Sequence, residues 1–341
     1  MKKLYLLVLS FLVIAISAHA QTVALHQTDG PQLFYGTNAF TDACNASVTG
    51  DTIYLSGHGF NTSNISLDKK LFVYGAGHYP DSTTVTGKTT LTGSINLSEN
   101  ADGFYIEGVD LTGGITTTSN HAVDQITIKY CRLQGELNIR GDRSNPSLNL
   151  MLVNCAMKAA VRLTNAQNAG IFNSIFNADL VDTYGNLFQN NIFLLNNWSS
   201  TTYRYTLVGD NNTLENNIFI RTADREVAGN NNIIKNNITP KTDPFWGNTP
   251  TATGNYTGVA IETIFVNQTG NVFDYTHDYH LQAPATYLGV DGTQVGIYGN
   301  AYPYKEGAVP SNPHFVTGTV APQTDADGKL NIVIKVTAQD R

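Results

Sequence analysis

Charge is scarce in this chain. Only 14% of its 341 residues are Asp, Glu, Lys or Arg, and the formal balance is -7. An acidic chain with so few cations argues against nucleic acid or an anionic membrane as partner. Sulfur is scarcer still, with three cysteines and three methionines. That count excludes a disulfide-dense scaffold, and no Cys-His spacing suggests zinc. Beyond residue 20 no apolar run approaches the roughly 18 residues of a membrane span. Helix formers are sparse there too. What is abundant is Thr, Asn and Gly, together with Val, Ile, Tyr and Phe, a mixture that favours strands and turns.

The first twenty residues have the pattern of a secretory signal peptide. Lys2 and Lys3 form a basic start, Leu4 to Ile16 an apolar stretch, and Ala18-His19-Ala20 a small-x-small cleavage site. The mature chain is then expected to begin at Gln21 and to leave the cytoplasm without a membrane span. Its destination would be extracellular, the cell surface or the periplasm. A membrane anchor is the competing reading, but the apolar stretch is short for a span.

A register then repeats. Seven segments align without gaps: 104–111, 126–133, 150–157, 169–176, 186–193, 212–219 and 232–239. The recurrence, roughly every 20 residues with unequal loops, marks a solenoid. The third position is always apolar (Ile106, Ile128, Leu152, Ile171, Phe188, Leu214, Ile234), and the eighth is mostly large and apolar (Leu111 to Phe219). The fifth is Asn154, Asn173, Asn190, Asn216 and Asn236 in the later segments. Asn tolerates the left-handed bend that a coil needs, and its amide can bond the same amide one coil away, about 4.8 Å off. The expectation is a structural asparagine ladder on these five residues. A second strand follows most bends, with Ile95, Ile115, Leu137 and Val161 pointing inward.

These features predict an all-β right-handed parallel β-helix. Exposed strand edges at the ends of a solenoid need cover. Thr37 to Ser47 could form a short helix at the N-terminal end. At the other end, Leu330, Ile332, Ile334 and Val336 alternate with polar residues as a half-buried strand would. The expected division is residues 1–20 as signal peptide, 21–300 as β-helix with its N-terminal cap, and 301–341 as a tail that caps the helix or packs on its side.

The residues Val48 to Leu55, Leu71 to Gly77, the Asn-Asn-Ile-Phe coils, and Asp278 to Gln282 with Asp291 to Gly299 carry a family likeness. The chain resembles secreted bacterial β-helix proteins of the pectate-lyase-like superfamily over most of residues 36 to 300. The resemblance implies the fold, and implies that residues 278–299 form a final coil. It does not select an activity, because this scaffold hosts lyases, hydrolases, adhesins and binding proteins.

A lyase would need clustered carboxylates for calcium and an Arg base, and a hydrolase paired carboxylates. Neither pattern is evident, and no cofactor or metal is implied. The candidate groove is the outward row Asn96, Thr116, Asn138 and Arg162, flanked by Arg140, Asp142 and Arg143. Such a row could bond sugar hydroxyls or carboxylates; a bare solvated face is the alternative. In the first strands Glu107 should face Lys129 and Glu215 should face Lys235. Met151, Val153, Phe172 and Leu187 between them are apolar and outward. They call for cover by the tail or a long loop, or they mark a protein interface.

Cys131 and Cys155 share one repeat position, so they could form a disulfide or stack as buried thiols. Asp274, His277, Asp278 and His280 are the densest polar cluster, with a structural role favoured over metal binding. Trp198, Tyr203 and Tyr205 could stack on sugars or pack a loop. The expected function is that of an exported surface protein with a binding or structural role toward a polysaccharide or an envelope protein. A polysaccharide lyase or glycoside hydrolase with a divergent site is one alternative, and a protein-interaction module using the apolar face is the other.

Overall fold

The computed structural model describes residues 21–119, 121–195, 205–221 and 225–338. The signal-like segment, Trp198 and Tyr203 lie outside the described residues. Three stacked sheets of 12, 8 and 9 strands form a parallel β-solenoid of about 9 turns. One coil contributes a strand to each sheet in turn, as with Tyr105–Glu107, Asp110–Leu111 and Ile115–Thr117.

The repeat register survives intact. Ile106, Ile128, Leu152, Ile171, Phe188, Leu214 and Ile234 pair strand to strand in that order along the first sheet, and all seven are buried. Each such burial stabilises by roughly 1.5–3 kcal/mol. The eighth-position column is equally dry. Within it Phe176 and Phe193 lie 5.3 Å apart, and Phe193 and Phe219 lie 4.8 Å apart. Ile95, Ile115, Leu137 and Val161 form the third inward column.

The bends explain the fifth position. Gly108, Tyr130, Asn154, Asn173, Asn190, Asn216 and Asn236 all have left-handed φ between 46° and 73°. The amide stacking between coils, however, runs mainly one residue further on. Asn191 Nδ2 donates to Asn217 Oδ1 at 3.0 Å, Asn217 to Asn237 at 2.9 Å, and Asn237 to Asn255 at 3.0 Å. A left-handed residue at the bend directs its side chain outside the coil, and the next residue then points inward. So the sixth position holds the stacked amides. At the fifth, one amide bond joins neighbouring coils, from Asn216 Nδ2 to Asn190 Oδ1 at 3.4 Å.

Cys131 and Cys155 stand in that same inner column, upstream of Ser174 and Asn191. They are buried free thiols, as is Cys44. Their sulfhydryls point to backbone carbonyls, Cys131 to Lys129 O at 3.1 Å and Cys155 to Val153 O at 3.3 Å.

At the N-terminal end, β1 (Thr22–Gln27) and β2 (Gly30–Tyr35) form an antiparallel hairpin. It pairs on β3 (Thr52–Leu55), the first strand of the solenoid. Helix α1 (Ala39–Ala46) buries Ala39, Phe40, Ala43 and Cys44. It stops where Ser47 turns extended and its hydroxyl donates to Cys44 O at 2.7 Å.

The last strand of the first sheet is Thr251–Thr253. Residues 278–299 are therefore not a final coil. Asp278–Leu281 pairs antiparallel with Phe265–Asn267 in a separate sheet. The physical reason lies on the outer face of the second sheet. Ile175, Ile192, Ile218 and Ile238 point outward there and are nonetheless buried, packed with Ile264, Phe265, Tyr279, Leu281, Val295 and Ile297. The chain turns back to cover them.

The tail divides. Tyr304, Ala308 and Val309 are buried, and Tyr304 and Tyr79 share a hydroxyl hydrogen bond of 2.7 Å. Pro310 packs over Gly108, where a Cβ would collide with its ring. Beyond it, His314–Val320 and Ile332–Thr337 form an antiparallel hairpin. The second of these strands was expected to be half-buried, but it is exposed along its whole length. Among the described residues it pairs only with its partner strand, and no layer covers its apolar side chains.

Candidate functional site

The row expected to form a groove is real as a row. Asn96, Thr116, Asn138 and Arg162 pair in register on the third sheet and are half-exposed. Their chemistry is local. Arg162 Nε lies 3.4 Å from Glu136 Oε1. Arg143 donates to Thr164 O at 3.2 Å and Asp182 O at 3.3 Å, with its guanidinium 5.2 Å from the Tyr184 ring. Asp142 Oδ1 accepts the Ser144 N–H at 3.0 Å, and the Arg140 N–H donates to Thr117 Oγ1 at 2.7 Å. The side chains of Arg140 and Asp142 are thus turned to solvent rather than brought to a common centre.

The recess lies elsewhere, on the outer face of the first sheet. A cleft of about 860 Å³ has the sheet as its floor and residues 300–303 with Lys305 and Asp291 as its wall. Tyr105, Lys129, Met151, Val153 and Phe172 form the floor, and Tyr130, Asn154 and Asn173 the bend beside it. A shallower trough of about 560 Å³ continues from it and shares Met151 and Phe172. Leu187 and Glu215 lie along that trough.

The wall is placed by the bend asparagines. Asn173 Nδ2 donates to Ile297 O at 2.8 Å and Gly299 O at 3.2 Å. Asn190 Nδ2 donates to Gly296 O at 2.9 Å, and Asn236 Nδ2 to Leu288 O at 2.9 Å. Asn216 Oδ1 accepts the Val290 N–H at 2.9 Å. Four of the five residues expected to stack on one another thus hold a returning segment, and two of them, Asn190 and Asn216, also bond to each other. Asn154 is the exception: its Oδ1 is buried and has no hydrogen-bond partner among the described residues.

One buried carboxylate anchors the end of the wall. Glu107 lies directly across from Lys129 in the sheet register, as expected, and its carboxylate accepts from the Tyr105 hydroxyl and from the backbone and side chain of Ser311. Burial, reinforced by Glu107, pushes the Tyr105 hydroxyl well above its ordinary pKa. Burial also raises Tyr130, again with help from Glu107. Lys129 sits over the Tyr130 ring at 5.4 Å. The expected pair Glu215 and Lys235 does form, at 3.2 Å.

The apolar strip behaves differently at each residue. Val153 is buried, Phe172 half-buried, and Met151 is 41% exposed. It is a lined cleft rather than a flat uncovered face. In the cluster of residues 274–280, Asp274 Oδ1 accepts from Thr276 and Asp278 Oδ1 from His280, so both carboxylates are engaged in tight local turns. Among the described residues no group of three or more His, Cys, Asp or Glu side chains is placed to hold a metal ion.

The sequence called for cover over Met151, Val153 and Phe172 by the tail or a long loop, and residues 301–303 and Lys305 of the tail do stand over them; what it did not show is that residues 278–299 turn back along the solenoid instead of forming a coil. The signal was present in the seventh positions. An isoleucine there, between inward positions six and eight, must face outward and so requires a covering segment. Compared with family models, curated proteins and solved structures, the chain has no significant match to any of them.

Proposed function

We propose that this chain is an exported right-handed β-helix of the pectate-lyase-like kind, and that it binds a carbohydrate polymer in the groove made by the cleft and trough. The observation that carries the reading is the continuity of the two recesses through Met151 and Phe172. The cleft lining reaches from Tyr105 to Gln189, across five strands of the first sheet. At about 4.8 Å per strand that is roughly 19 Å, a length suited to an extended chain. Apolar and aromatic side chains line it together with the amides of Asn154, Asn173 and Gln189, the mixture that a sugar polymer needs for its C–H faces and its hydroxyls. The bend asparagines and the buried Glu107 support the reading by holding the wall in place before any ligand arrives.

The test is affinity electrophoresis and pull-down of the chain from Gln21 onward against neutral and acidic polysaccharides, with parallel assays for new reducing and unsaturated ends. Retention by at least one polymer without new ends is expected. Retention by none would overturn the reading, and release of new ends would replace binding by catalysis.

A further inference from the structure

Phe172 and Gly170 occupy alternate, outward positions of one short strand, Gly170–Phe172. The phenyl ring does not stand away from the sheet. It leans back along the strand until Cε2 and Cζ occupy the place of the missing Gly170 side chain; a Cβ there would meet Cζ at 2.6 Å and Cε2 closer still. The backbone of Gly170 is not in the left-handed region, so any residue could adopt its conformation. Glycine is needed at this site for the ring rather than for the chain.

The ring is framed by its cross-strand neighbours. Met151 and Leu187 flank Gly170 on the adjacent coils, and Val153 and Gln189 flank Phe172. Among the described residues no other aromatic ring packs on it. Other rings on the same sheet face are already engaged: Tyr54 stacks on Tyr74 at 5.4 Å, and Tyr74 meets Tyr105 at 5.3 Å. Phe172 is half-buried and lines both the cleft and the trough.

We infer that Phe172 is the stacking platform of the groove, against which one pyranose ring of the polymer lies by its C–H face, and that Gly170 is its positioning residue. The inference rests on the carbohydrate reading above. An aromatic ring laid along a strand gives a sugar a flat apolar contact at little entropic cost, because it has only two side-chain torsions. The Gln189 amide beside it is placed for ring hydroxyls.

The experiment uses whichever polysaccharide retains the wild-type chain, and measures affinity for it in three variants. Phe172→Ala is expected to weaken binding at least about tenfold, equivalent to about 1.4 kcal/mol. Gly170→Ala is expected to weaken it similarly by lifting the ring off the strand. Phe172→Trp should keep the affinity, and its indole emission should shift on addition of the polymer. A merely structural phenylalanine would give no ligand-dependent shift. Unchanged affinity in Phe172→Ala, or an unshifted tryptophan in a variant that still binds, overturns the platform. Failure of the wild-type chain to bind any polymer overturns the carbohydrate reading itself, and the platform with it.

Discussion

Asn300 Nδ2 donates to Asn173 Oδ1 at 2.7 Å, joining a bend of the solenoid to a residue 127 positions later in the chain. The same Asn173 amide donates to two carbonyls of the returning segment, so one side chain satisfies three groups. Replacing Asn173 by Ala removes all three bonds, although Ile297 O keeps the Tyr304 N–H and Asn300 Nδ2 keeps Asn190 Oδ1 at 3.4 Å, and should cost about 1–3 kcal/mol. The expected result is a lower melting temperature and faster hydrogen exchange in residues 288–300. An unchanged exchange pattern in that segment would show that the amide does not hold it.

The thiols give a second prediction. Burial pushes the Cys155 thiol up to about 12, and Cys131 well above its usual range. The thiolate is the reactive form, so neither should react with a disulfide reagent at pH 8 while the chain is folded. In denaturant all three cysteines should titrate. Prompt labelling of native protein at Cys131 or Cys155, mapped by mass spectrometry, would contradict this. Reduction should leave the melting temperature unchanged.

His78 sets a pH dependence. It is fully buried, and burial pushes its pKa down to about 3; Asp110 pulls it back up, while Arg132 and Lys88 oppose Asp110. Its Nδ1 lies 3.2 Å from the Tyr275 hydroxyl. A histidine depressed in the folded state takes up its proton only on unfolding. Its contribution to stability is therefore complete above the unfolded pKa of about 6.5 and is lost progressively as pH falls from there toward 3. The melting temperature of the wild-type chain should drop more between pH 7 and pH 5 than that of a His78→Phe variant. Parallel curves would mean that another group carries the acid sensitivity.

The terminal hairpin leads to an opposite kind of expectation. Ile332, Val333, Ile334 and Val336 are each at least half exposed. Little burial is lost if they go. Ending the chain after Asn312, which keeps Ser311 on Glu107, should leave the solenoid's melting temperature unchanged within about 1 °C. It should also lower any tendency to associate, since an uncovered apolar hairpin is an edge for pairing. A clear fall in melting temperature would place the hairpin among the stabilising parts.

The stacking of the coils was legible because a solenoid repeats its instructions. Ile106 to Ile234 recur at one position, and a column of buried residues follows directly from the period. The bends were legible for the same reason, since Asn and Gly are the residues that accept a left-handed φ. What failed was direction. Whether Asn190 or Asn191 faces inward depends on the geometry of the bend, and a one-residue difference exchanges inside for outside. The course of the returning segment was illegible for another reason. Residues 288–305 have no repeat of their own, and their place is set by contacts more than a hundred residues away, such as Ile297 on Asn173.

The returning segment also acts as a ruler. It meets Asn236 at Leu288, Asn173 at Ile297 and Glu107 at Ser311, running backward along the axis as it goes. A free stack of coils can gain or lose a repeat in evolution, and it can fray from its ends one coil at a time. Here a coil inserted between Glu107 and Lys235 would displace the anchors by about 4.8 Å. The count of coils in that span is therefore locked to the length of the segment, and the coils under it should open together rather than in succession.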